Sequence, residues 1–177
     1  MSSATGILEW LPLLDHLDLV AAPVAAVAAT LPSARVAVID GAMADTAMFC
    51  TTYDVSPEAS ANCVVVAGRR GERTSYAAVM VLATTRADVN GVVRKTLDVR
   101  KCSFAPHDDA VSLTGMEFGG ITPVGLPSDW PVLVDDAVAA TDLVVVGSGR
   151  RTSKLLVSGA DLAALRGARV LRLAQPA

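Results

Sequence analysis

The sequence predicts an α+β fold: a mixed, largely antiparallel, barrel-like sheet with flanking helices, built as a single domain over residues 1–177. Three observations carry it. Short valine-rich runs with strand character recur between segments of helical spacing, without the strict alternation that a doubly wound parallel sheet demands. Residues 62–68 and 74–83 are apolar runs joined by the polar tip 69–73, which reads as an antiparallel pair at the centre of the sheet. Residues 114–130 hold four glycines and two prolines, so neither a helix nor a central strand passes through them.

Residues 7–31 place apolar side chains at helical spacing, and Pro12 and Pro23 break that run into two short helices expected to cover one face of the sheet. Residues 34–40 alternate toward a strand that Gly41 ends. Residues 45–53 read as a helix with Ala47, Met48 and Phe49 turned inward, followed by a turn at Ser56-Pro57-Glu58. After the central pair, residues 88–99 have helical spacing, with Val89, Val92, Val93 and Leu97 on one side. A short strand at 103–105 precedes Pro106-His107-Asp108-Asp109, a helix start with proline in the first turn and acids at the positive end of the dipole. Gly115 is the matching stop. Beyond the loop come strands at 132–135, 143–147, 153–157 and 168–173, helices at 136–140 and 159–165, and a turn at Gly147-Ser148-Gly149.

Composition bounds the function. Hydrophobic residues make up 52% of the chain and charged residues 19%, with mean hydropathy +0.46, so the chain builds a core and is not disordered. Aromatics are only 4%, which leaves valine, leucine and alanine to fill it. A net charge of −3 argues against a general electrostatic platform for long nucleic acid, though not against recognition of a nucleic-acid end. Basic residues cluster at 69–73, at Arg94-Lys95 with Arg100-Lys101, and at Arg150-Arg151 with Lys154; each cluster also fits a solvated face. Cys50, Cys63 and Cys102 are odd in number and lack a C-x-x-C pair, as expected for free thiols in a reducing cytoplasm. His16 and His107 have no ligand at metal spacing, so no metal and no cofactor is expected. No basic region precedes an apolar core at the N-terminus, and the alanine-rich run 19–31 falls short of the ~20 residues of a membrane span, so a cytoplasmic protein is expected.

An ordered loop of glycine and proline can turn backbone amides toward a ligand, and a long one between packed elements is commonly functional. At Gly119-Gly120-Ile121-Thr122-Pro123 the chain resembles the G-x-x-x-P loop of the YbaK/EbsC family, relatives of the editing domain inserted in bacterial prolyl-tRNA synthetases. The resemblance extends through Gly125-Leu126-Pro127, the run 132–135 and the run 144–149, and covers roughly residues 35–172. It leaves residues 1–33 as a variable N-terminal helical part. It implies trans-editing: hydrolysis of the ester between a wrongly chosen amino acid and the 3′ end of its tRNA. Synthetases need this because a pocket discriminates by only ~1–3 kcal/mol per methylene. The implied partners are the 3′ acceptor end of aminoacyl-tRNA and an aminoacyl-tRNA synthetase.

An activated ester asks for an oriented carbonyl, donors where oxyanion charge develops, and a positioned water. The resemblance assigns catalysis to Asn62, Gly119 and Gly120, and substrate binding to Ile121, Thr122, Pro123, Gly125, Gly147, Ser148, Gly149, Arg150 and Lys154. It also implies that a hydroxyl of the terminal ribose helps activate the water; no Ser-His-Asp triad or G-x-S-x-G elbow is present. Here the chain departs from its relatives. Deacylases of the family carry a lysine at the start of the central strand, where this chain reads Asn62-Cys63-Val64-Val65. Asparagine still donates a hydrogen bond but brings no charge. Three consequences stay open: Asn62 orients the ester in a variant enzyme, Lys154 or Arg150 substitutes, or catalysis is lost and a binding module for a tRNA end, a synthetase or a small ligand remains. Cys63 reads either as a nucleophile or as a small buried hydrophobe. Trp130 reads as a stacking surface or a core lid, Asp135 and Asp136 as ligand contacts or caps, and His107 as a surface residue.

Overall fold

A computed structural model describes residues 3–177. Eleven strands form three sheets among the described residues. A four-stranded antiparallel sheet has the order β1-β2-β9-β8, from β1 (Leu11–Pro12), β2 (Arg35–Val38), β8 (Val144–Gly147) and β9 (Ser153–Val157). A five-stranded mixed sheet has the order β10-β7-β4-β3-β6, from β3 (Ala61–Arg70), β4 (Arg73–Leu82), β6 (Lys101–Phe104), β7 (Val132–Asp135) and β10 (Ala168–Leu171). β3 pairs antiparallel with both β4 and β6, whereas β7 runs parallel to β4 and β10. The third sheet joins β5 (Thr85–Ala87) to β11 (Ala174–Pro176). An isolated parallel bridge, Ser60 to Val145, links the two larger sheets, which do not close into a barrel.

Burial explains the continuous apolar runs, because β4, β7, β8 and β9 are covered on both faces along most of their length. In β8 and β9, Val144, Val146, Leu155 and Val157 face the main core, while Val145 and Leu156 face Phe49 of α2 (Thr46–Tyr53). In the other sheet, Met80, Val132 and Val134 share that main core, and Val79, Val81 and Leu133 pack under Val89 and Val93. The main core also takes in Leu13, Val20, Val24 and Leu31 of the N-terminal part.

Several local expectations change. Pro12 belongs to β1, and Pro23 lies in the first turn of α1 (Ala22–Val27), where a residue without an N–H starts a helix instead of breaking it. Around α1 the segment is made of 3₁₀ turns at Leu13–Asp15, Leu17–Leu19 and Ala28–Thr30. In α2, Phe49 and Cys50 are buried but Ala47 and Met48 point outward, because the helix presents its C-terminal half to β8 and β9. Residues 88–99 begin as a π turn, Val89–Val93, capped by the Asp88 carboxylate, and end in α3 (Arg94–Thr96). The remaining helices are α4 (His107–Thr114), stopped by Gly115, α5 (Asp136–Ala139) and α6 (Gly159–Ala163).

Candidate functional site

The loop between α4 and β7 is held against the β8–β9 turn by backbone alone. The Gly149 amide donates to the Gly120 carbonyl at 2.7 Å, and the Glu117 amide donates to the Gly149 carbonyl at 2.9 Å. This approach requires glycine at two positions. A Cβ at Gly120 would lie 2.6 Å from the Arg150 carbonyl carbon and oxygen, and one at Gly147 would collide with the Gly120 and Ile121 carbonyl oxygens. Arg151 fastens the outer side: its amide donates to Glu117 Oε2 at 2.7 Å, and its guanidinium reaches the Phe118 carbonyl at 3.3 Å and the Gly41 carbonyl at 2.9 Å.

In front of these joined loops is a cavity of about 370 Å³. Gly119, Ile121, Gly147, Asn62 and Lys154 line it, so the structure brings five of the expected site residues together. The amides of Gly119 and Ile121 have no acceptor among the described residues and remain available to a ligand. The Gly120 amide is turned away, donating to the Glu117 carbonyl at 2.9 Å. Asn62, half-buried at the start of β3, accepts a hydrogen bond from the Thr46 hydroxyl at 2.6 Å, which leaves its amide NH₂ as donor.

Lys154 is a buried cation, 7% exposed, in the middle of the four-stranded sheet. β9 carries it beside the start of α2, where Nζ donates to the Ala44 carbonyl at 3.0 Å and lies 5.1 Å from the centre of the Phe49 ring. Burial holds its ammonium below the usual lysine range; Cys50 and Asp45 oppose that shift and Arg151 adds to it. An ammonium with one protein acceptor and two further N–H bonds is a ready partner for an ester or phosphate oxygen.

The other expected residues lie elsewhere. Ser148 is fully buried, its hydroxyl within reach of the Arg150 and Ser153 carbonyls and of Ser153 Oγ at 2.7 Å. Thr122 is also fully buried, with an Oγ1 that has no partner. Pro123 and Gly125 border a separate groove of about 550 Å³ beside Trp130. Arg150 reaches the Asp18 carbonyl at 2.7 Å, and Gly149 packs toward Ala21. Both loops pack on the N-terminal part: a Cβ at Gly125 would lie 2.4 Å from the Pro23 carbonyl oxygen, and the Ala21 amide donates to the Ser148 carbonyl at 3.1 Å.

The undecided readings resolve by geometry. Trp130, 6% exposed, stacks on Tyr76 with ring centres 5.5 Å apart and forms a core lid. Asp135 is buried and accepts the Leu173, Ala174 and Ala137 amides, a structural cap. Cys63 lines the cavity, but burial pushes its thiol up to about 12, which makes it a poor nucleophile at neutral pH. His107 is exposed, with Nδ1 2.9 Å from Asp108 Oδ1 and its ring 4.5 Å from that of Phe118.

Sequence reasoning missed the opposite wall. Asp45 and Thr46 line the cavity from the start of α2, the Asp45 carboxylate capping the Ala47 and Met48 amides. Asp-Thr ahead of an apolar run is a capping signal, but nothing local says that this helix end faces the glycine loop. Phe104 and Phe118 form an exposed rim, at 68% and 54%. Among the described residues no group of three or more His, Cys, Asp or Glu could hold a metal ion, and no helix is long and apolar enough to cross a membrane.

Comparison with solved structures finds the same fold at low sequence identity. Hypothetical protein APE2540 matches with TM-score 0.74 and 22% identity, over 84% of this chain and 96% of that one. A candidate trans-editing enzyme for prolyl tRNA synthetase matches with TM-score 0.69 and 20% identity, over 80% of this chain and 87% of the other. A search of curated proteins returns no match. The family scan spans the glycine loop, its partner turn and every strand that lines the cavity. By that match, to the aminoacyl-tRNA editing domain over residues 40–165, the chain belongs to the aminoacyl-tRNA editing domain family.

Proposed function

We propose that residues 1–177 act as one cytoplasmic trans-editing unit that hydrolyses the ester of a mischarged aminoacyl-tRNA. The observation that carries this reading is that residues with unlike donors line one cavity: Gly119 and Ile121, whose amides have no acceptor among the described residues, Asn62 with its amide NH₂, and Lys154 with its ammonium. The two backbone amides are fixed by loops that pack on each other, so they need no reorganisation as the carbonyl oxygen gains charge. Asn62, oriented by Thr46, holds the ester or the ribose in line. Lys154 supplies the positive charge that the family resemblance implies at the start of the central strand. Water adds to the carbonyl, the tetrahedral oxyanion sits on the amides, and its collapse expels the ribose oxygen, which takes up the proton. The ribose's own neighbouring hydroxyl supports the water.

Apolar walls from Ala61, Val65, Ala110 and Ile121 leave room for a small side chain, and the free amino acid and intact tRNA are the products. The reading is tested by amino-acid release from a panel of correctly and incorrectly charged tRNAs. Wild type is expected to hydrolyse one mischarged class, and Asn62→Ala to lose ~10²-fold, the usual cost of a misplaced reacting group. A competing reading, a binding module without catalysis, is favoured by the Ala44 carbonyl and Phe49 ring that already hold Lys154. Silence of the wild type across the panel, with binding retained, would establish that reading instead.

A further inference from the structure

We propose that the groove along β3 and β6 carries the sugar–phosphate backbone of the RNA strand whose 3′ end enters the cavity. This rests on the editing reading but concerns a surface outside its chemistry. The groove, about 750 Å³, is lined by Arg69, Arg94, Arg100 and Lys101. It adjoins the cavity at Phe104, which lines both.

Its charge is anomalous for this chain. Residues 69–101 hold eight of the 15 basic residues against three acidic ones, on a chain of net charge −3. The β3–β6 register sets Arg69 directly opposite Lys101, and the β3–β4 register sets Arg70 opposite Arg73. Like charges in cross-strand register are destabilising, so the free protein bears a repulsion that a polyanion would relieve. Nearby carboxylates do not relieve the Arg69–Lys101 pair. Asp98 pairs with Arg70, Asp109 accepts the Tyr76 hydroxyl at 3.0 Å, and Glu72 lies exposed at the hairpin tip. None of the four lining cations has a carboxylate partner among the described residues.

Phe104 gives the groove its direction. It is 68% exposed at the end of an edge strand, where apolar packing does not explain it. An exposed aromatic face beside a basic track suits an unpaired base, stacked as the strand turns inward. An acidic peptide would satisfy the charge but would not use the exposed Phe104 ring where the groove adjoins the cavity.

The test measures binding of an uncharged RNA hairpin ending in CCA, by fluorescence anisotropy across a salt series. Arg69→Glu/Lys101→Glu is compared with Arg166→Glu/Arg169→Glu, an equal change in charge at the opposite edge, where β10 lies. The groove pair is expected to weaken binding at least ~10-fold and to reduce the salt slope by about two, one per lost phosphate contact. The control is expected to keep the wild-type slope. Equal weakening by both pairs, no change in either, or no RNA binding by the wild type would each overturn the proposal. Arg100→Ala/Lys101→Ala repeats the test should the reversal variant fail to fold by circular dichroism. The two readings separate cleanly: groove-dependent RNA binding without hydrolysis would sustain the track and sink the enzyme. Hydrolysis of charged tRNA unaffected by the groove variants would do the reverse.

Discussion

The two glycine turns that meet at the site, residues 119–123 and 147–149, are alike in composition and opposite in use. In the first, Gly119 and Ile121 line the cavity and their amides have no acceptor among the described residues. The second lends only Gly147 to the cavity wall and is otherwise turned into the protein, with Ser148 bonded to Arg150 and Ser153 and the Gly149 amide given to Gly120. The difference shows that a glycine-rich turn can be a ligand surface or the brace behind one. What decides is which side of the loop is already satisfied by backbone.

Disturbing the contact between the turns is expected to have the largest effect. Gly120→Val drives a branched side chain into the Arg150 backbone and should cost about 3 kcal/mol or more, seen as a lowered midpoint in urea unfolding. An unchanged midpoint would mean that the loops are not braced as described. Because that variant damages the fold, loss of its activity says nothing about chemistry, and the catalytic question belongs to Lys154.

Lys154→Met should keep or raise stability, since a buried cation is replaced by an apolar side chain of similar length, while hydrolysis falls ~10²-fold. Full activity would remove Lys154 from the mechanism. The pH dependence has a definite sign. Burial lowers the folded pKa beneath 10.5, so the unfolded chain binds more protons between the lowered value and 10.5, and stability rises with pH across that window. Hydrolysis that needs the ammonium falls across the same window. Both trends should vanish in Lys154→Met, after correction for spontaneous ester hydrolysis.

Smaller effects separate brace from surface. Ser148→Ala removes a buried hydroxyl and leaves its partners short of a donor, at a cost of about 1–3 kcal/mol with activity per folded molecule retained. A selective loss of activity would place Ser148 at the substrate after all. Thr122→Val exchanges a fully buried, unpartnered Oγ1 for a methyl group and should stabilise by up to ~1 kcal/mol. Destabilisation would point to a hydrogen bond gained when the loop moves.

Much of the fold was legible. The β3–β4 pair around residues 69–73, the helix ended by Gly115 and the strands at β7, β8 and β9 all carry local signals: an apolar run, a polar tip, a helix stop. The edge pair β5–β11 was not, because Thr85–Ala87 and Ala174–Pro176 are short, half-exposed and have no apolar alternation to reveal them. The outward turn of Met48 escaped for a related reason. A window of sequence shows which residues are apolar but not which arc of a short helix meets a sheet.

The sequence by itself determined the family, the glycine loop and the strands that support it, since each is written in contiguous residues whose spacing and φ preferences act locally. Only the tertiary structure decided which donors face the cavity. Lys154 meets Ala44, and Arg151 meets Gly41, across 110 positions, and Thr46 finds Asn62 only because α2 lies over β8 and β9. Those meetings follow from how two sheets and a helix bury their apolar faces together, a property of the whole chain and not of any stretch of it.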